Sequence, residues 1–167
     1  MTLHATSAPS ATAAEPSSGP RARWLAVLAH APRESLARHA RALPALDFEQ
    51  LRAPETGLAM VRGRIANRGD RFNVGEVTIT RAVVRHRDPG AGAVSVGVGY
   101  LLGRDPERVG WVARFDALLQ QPRWHDRLQA ELIAPLAAET ARLRAAEQRE
   151  TAASRVRFFN LQPDAAA

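Results

Sequence analysis

The chain has 167 residues, 46% of them hydrophobic, enough to bury one modest core without covalent help. It contains no cysteine, which excludes disulfides, thiolate metal sites, cysteine-ligated iron–sulfur clusters and thiol nucleophiles. The net charge of +6 rests on arginine alone, since no lysine occurs. Such a bias reflects genome composition as readily as a polyanion partner, and Glu34, Glu139, Glu147 and Glu150 interrupt the helical arginines as on solvated faces.

Residues 1–19 are rich in Ala, Ser and Pro, with neither a basic start nor a continuous apolar segment. They read as a disordered tail of a cytoplasmic protein, ahead of one domain over residues 20–161 and a short disordered end at 162–167. Pro20 suits the first position of a helix whose apolar face carries Trp24, Leu25 and Leu28; Pro32 forces a restart, and Leu36, Ala40 and Leu43 continue that face until Pro44. His30, at the end of the first helix, is placed to bond its last carbonyls. Strand-like alternation begins at Leu46 and recurs in "LDFEQLRA", "TGLAMVRGRIA", "FNVGEVTITRAVVR" and "AVSVGVGYLL", which predicts an antiparallel meander of about four strands. "NRGD" supplies Asn67 and Gly69 for a hairpin turn, and in a cytoplasmic chain its RGD tripeptide is a turn, not an adhesion signal. In the last strand Ser95, Gly97 and Gly99 share one face, so a helix or another chain must lie close against that backbone.

Asp105 is a good N-cap, with Pro106 and Glu107 behind it, for a helix whose buried stripe is Val109, Val112, Phe115, Leu118 and Leu119. Another helix starts at Pro122 with Trp124, Leu128, Leu132 and Leu136 at fourfold spacing, and Pro135 must kink or divide it. "SRVRFFNL" then places Arg155, Phe158 and Phe159 on a terminal segment, as for a strand added to a sheet or a partner's groove. The fold class is α+β: helices, the meander, helices and a terminal extended segment.

The five histidines form no ligand pair, the carboxylates no catalytic pair, and no Walker, Rossmann or nucleophile-elbow motif occurs. Nor is there a basic patch interleaved with aromatics of the kind nucleic-acid binders carry. Arg71, Arg81 and Arg85 allow bidentate phosphate or carboxylate recognition; the plainer alternative is a cross-strand ion pair with Glu76. A stand-alone phosphate- or nucleic-acid-binding domain stays open on these residues.

Taken in order, "AVLAH", "RAPETGLAMVRGR", "GDRFNVGEVTITRAVVR", "GYLLGRD", "FDALLQQP", "LIAPL" and "ASRVRFF" resemble the PhnG family, the G subunits of the bacterial carbon–phosphorus lyase core complex. The resemblance implies an accessory, cytoplasmic subunit in phosphonate catabolism. It implies assembly with H, I and J subunits, two copies of each, with the ATP-binding-cassette-like L protein as a further partner, and without nucleic acid or membrane. The I subunit displaces adenine from ATP with an alkylphosphonate, and the J subunit breaks the C–P bond with an iron–sulfur cluster and S-adenosylmethionine. No catalytic, cofactor or metal residue is implied for this chain. Candidate partner contacts are Glu55, Thr56, Gly57, Arg71, Phe72, Gly75, Glu76 and Arg81 around the hairpin, Gly97 and Gly99 on the glycine face, and Arg155, Phe158 and Phe159 at the end.

Overall fold

A computed structural model describes residues 19–65, 69–88, 90 and 92–154. Two short helices, α1 (Pro20–His30) and α2 (Arg33–Ala42), precede strands β1 (Phe48–Arg64), β2 (Arg71–Arg87) and β3 (Val94–Leu102). Helices α3 (Pro106–Leu119) and α4 (Pro122–Leu128) follow, then a π-helical turn (Gln129–Ile133) and α5 (Ala134–Ala153). The prolines act as expected: Pro20, Pro106 and Pro122 each stand in a first helical turn, and the chain turns between α1 and α2 at Pro32. The Asp105 side chain accepts from the Arg108 N–H at 3.0 Å, closing the start of α3. Pro135 marks the division anticipated for it, because its missing N–H leaves the preceding ladder to widen into the π turn.

Among the described residues the sheet is antiparallel in the order β1-β2-β3, with three strands and not about four. The predicted segments "LDFEQLRA" and "TGLAMVRGRIA" merge, from Phe48 to Arg64, into one 17-residue strand that runs through Pro54. A proline ends a strand only where a ladder N–H is required. Here β1 is an edge strand, and register shifts between Gln50 and Arg52 and between Arg52 and Glu55 absorb the interruption. Gly69 takes φ +77° beside the β1–β2 turn, as the hairpin reading needed; Asn67 lies outside the described residues.

Helix α3 is the centre of the molecule. It packs on β2 and β3, and α1, α2 and α4 pack on it. All five residues of its predicted stripe are buried, as are Trp24, Leu28, Leu36, Trp124, Leu128, Leu132 and Leu136. The helix-facing side of the sheet carries small and polar residues, with Thr80, Ala82, Val84 and His86 on β2 and Ser95, Gly97, Gly99 and Leu101 on β3. The other side carries Val94, Val96 and Tyr100, all exposed.

Candidate partner interface

The glycine face has its occupant within the chain. A Cβ on Gly97 would lie 2.5 Å from Ala117 N and closer still to Ala113 O; on Gly99 it would lie 2.8 Å from Val109 Cγ2 and closer still to Val109 O. Helix α3 therefore rests directly on the β3 backbone, and Gly97 and Gly99 are corrected from outward contacts to an intramolecular seat. Arg155, Phe158 and Phe159 lie outside the described residues.

The hairpin residues fall into two patches. Glu55 faces Arg81 across β1 and β2, and Arg81 Nε donates to Glu55 Oε1 at 2.6 Å while Arg52 Nη1 donates to the same oxygen at 2.5 Å. Thr56 meets Thr80 at 3.3 Å, and Gly57 is next in register, opposite Ile79. Arg71 and Phe72 stand ten residues along β2, about 33 Å from Arg81 for an extended strand. There they pair with Arg64 and Gly63, while Gly75 and Glu76 lie between, opposite Val61 and Met60. Arg81 thus has the cross-strand ion pair anticipated for it, but with Glu55; Glu76 shares Arg81's strand and cannot be its cross-strand partner. Arg85 likewise pairs with Glu49 at 3.3 Å.

Both guanidinium hydrogen bonds, that from Arg52 first and that from Arg81 second, hold the Glu55 carboxyl below its ordinary value. Its folded-state pKa is depressed, so the contribution to stability is present above the unfolded value and is lost as pH falls through the folded one. We expect the urea midpoint of the native chain to drop between about pH 5 and pH 3, and the slope to flatten in Glu55→Gln. Identical slopes would mean that this cluster does not couple to folding.

Polar chemistry elsewhere is spent on the fold. His30, His86 and His125 each donate from Nδ1 to a backbone carbonyl, of Ala26, Asp47 and Leu119, at 2.8, 2.8 and 2.7 Å. Asp105 binds Arg33; burial pushes the Asp105 carboxyl up, but the Arg33 hydrogen bond, the Arg108 N–H and the two guanidinium charges outweigh it and the net direction is down. The residue the sequence reading overlooked is Asp116, fully buried in α3, which accepts from Arg21, from Trp24 Nε1 at 2.9 Å and from the Val98 N–H at 2.9 Å. Its signal was available: a carboxylate inside an apolar stripe, between Phe115 and Leu118, must be paired. A cavity among His39, Leu43, Phe115, Trp124 and Leu132 has about 60 Å³, too small for a nucleotide. Among the described residues no three histidines or carboxylates converge on a metal position, and no helix is long and apolar enough to cross a membrane.

Among the described residues, a sheet packed on one side, exposed on the other and extended into an exposed hairpin has the build of an interaction module. The chain belongs to the PhnG family: the model of phosphonate metabolism protein PhnG matches residues 19–162. It is 44% identical over 114 residues to the alpha-D-ribose 1-methylphosphonate 5-triphosphate synthase subunit PhnG of Rhizobium meliloti (strain 1021), covering 66% of this chain and 67% of that protein.

Proposed function

We propose that the chain is an accessory subunit of a ribose 1-methylphosphonate 5-triphosphate synthase and works in the cytoplasm. In this reading a partner I subunit displaces adenine from ATP with an alkylphosphonate. H and J subunits complete a symmetric assembly with two copies of each, and the L protein assists. The iron–sulfur cluster and S-adenosylmethionine belong to the J subunit, and this chain holds no cofactor of its own. The observation that carries the proposal is the bare side of the sheet, where Val94, Val96, Tyr100 and Leu102 are exposed beside the paired Arg81, Glu55 and Arg52. Among the described residues this apolar face is open to solvent, which suits a subunit that meets another chain. The kinship with a subunit of the named synthase supplies the reaction.

The test is light scattering on size-exclusion fractions of the chain alone and co-expressed with the I subunit of its own genome. A mixed assembly with nucleosyl-transfer activity is expected; a monomer that ignores the I subunit would refute the reading. Arg71→Ala with Arg81→Ala is expected to weaken assembly about tenfold or more. Unchanged assembly and unchanged transfer would show that the two patches of the hairpin face elsewhere.

A further inference from the structure

Among the described residues the β1–β2 hairpin outruns the rest of the sheet. Strand β3 ends where Leu102 pairs with Ile79, and beyond that point β1 and β2 continue as a two-stranded ribbon to the Arg64–Arg71 pair. Seven more residues of β1 make the ribbon about 23 Å long. An isolated ribbon of two strands is marginal in water. This one is also apolar on both sides: of the twelve exposed large hydrophobics among the described residues, six lie on it, including Leu58 at 64%, Val74 at 61% and Ile65 at 75% exposed.

The charge on the arm changes along its length. Near the body Arg81, Arg52 and Arg85 are neutralised by Glu55 and Glu49. Among the described residues of the tip, Arg62, Arg64 and Arg71 stand against the single carboxylate of Asp70. Among the described residues Arg62, Arg64 and Arg71 have no carboxylate in ion-pair reach, and Arg62 reaches only the Arg71 carbonyl, at 3.5 Å. Arg64 stands directly opposite Arg71, a like-charge pairing that costs the free hairpin stability. A ribbon that needed only to fold would carry a carboxylate at one of these positions.

We infer that the hairpin is an insertion arm, and that its occupant is a cleft in a partner protein with apolar walls and an acidic floor, which takes Leu58, Met60, Phe72 and Val74 along the walls and the tip arginines at the bottom. Nucleic acid or a free nucleotide would satisfy the arginines and leave the apolar sleeve wet, so a protein fits the surface better. A second copy of this chain would bring two arginine tips together. The inference rests on the subunit reading above and assigns that reading its most protruding contact.

The experiment uses the full chain and its synthase subunits, co-expressed from one genome. Hydrogen exchange on the unmodified chain, free and assembled, should show protection appearing over residues 58–65 and 71–77. Arg64→Glu separates binding from folding, because it places a carboxylate opposite Arg71. Exchange at the tip of the free chain should stay the same or slow, while affinity for the other subunits falls by about tenfold or more and loses part of its salt dependence. Leu58→Ser with Met60→Ser should lower affinity as well, with the salt dependence retained. An assembly formed without new protection on the arm, or equally tight with Arg64→Glu, would overturn the inference and leave the subunit reading standing. Failure of the unmodified chain to join any synthase subunit would overturn both. Protection of the arm in the isolated chain, with a dimeric mass, would assign it to a second copy instead.

Discussion

Replacing Gly97 by alanine is expected to destabilise the protein by about 3 kcal/mol or more, a large part of the ~5–15 kcal/mol that holds a domain of this size together. The methyl group would collide with Ala113 O and with Ala117 N at 2.5 Å, both backbone atoms of α3, and no rotamer change moves backbone. Helix α3 must then lift off the sheet, loosening its own buried side chains Phe115, Leu118 and Leu119. Urea denaturation would register the change as a midpoint lower by about 1 M or more. Gly110→Ala is the control: it lies in the same helix with nothing within 4 Å of its missing Cβ, and should raise stability by up to about 1 kcal/mol. A Gly97→Ala midpoint within a few tenths of a molar of the native value would mean that α3 is not seated on β3 in this way. The functional consequence follows from topology. α3 and the open face lie on the two sides of one sheet, so a displaced helix distorts the face proposed to meet a partner.

The helices were legible in the sequence wherever punctuation is local. Proline at a first turn, an aspartate cap and a fourfold apolar stripe act within a few residues, and Pro20, Asp105, Pro106 and Pro122 all stand where such signals placed them. The strands were legible as alternation, but alternation does not say which side is inside. On β3 the valines and Tyr100 face out while glycines face the core, because close approach of a helix backbone selects for absence of side chains more strongly than for hydrophobicity. Cross-strand partners depend on register, which three irregularities along the β1–β2 pairing reset; the one between Val61 and Arg62 lies between the turn and the point where Arg81 meets Glu55, a partner 26 positions away that no spacing rule singles out. The two segments flanking Pro54 join into one strand for a related reason, since a proline's effect depends on whether its strand is central or at an edge. At the candidate interface the residue types were visible early, but their separation into a neutralised patch near the body and an uncompensated one at the tip needed the pairing.

Asp116→Ala is the other substitution expected to cost about 3 kcal/mol, and it does so without touching the apolar core. The carboxylate is fully buried and joins three elements: Arg21 and Trp24 of α1, the Val98 N–H of β3 and its own helix α3. Its removal leaves the Trp24 indole N–H and the Val98 N–H desolvated without an acceptor, at about 1–3 kcal/mol for each buried group. Arg21, with its side chain 44% exposed, can turn to water, so Arg21→Ala alone should cost no more than about 1 kcal/mol. That asymmetry separates a satisfied buried acceptor from an ordinary ion pair, and equal losses in the two variants would contradict it. A second effect concerns the sheet. β3 is an edge strand, and besides the Val98 N–H its Val96 carbonyl accepts from Gln120 at 2.9 Å and from Arg21 at 3.1 Å, so this stretch of the edge is closed to another strand. Asp116→Ala unseals it. Faster hydrogen exchange at Val98 and concentration-dependent self-association should therefore accompany the lost stability. In the native chain the Val96–Val98 stretch of the β3 edge is therefore not offered to a partner strand.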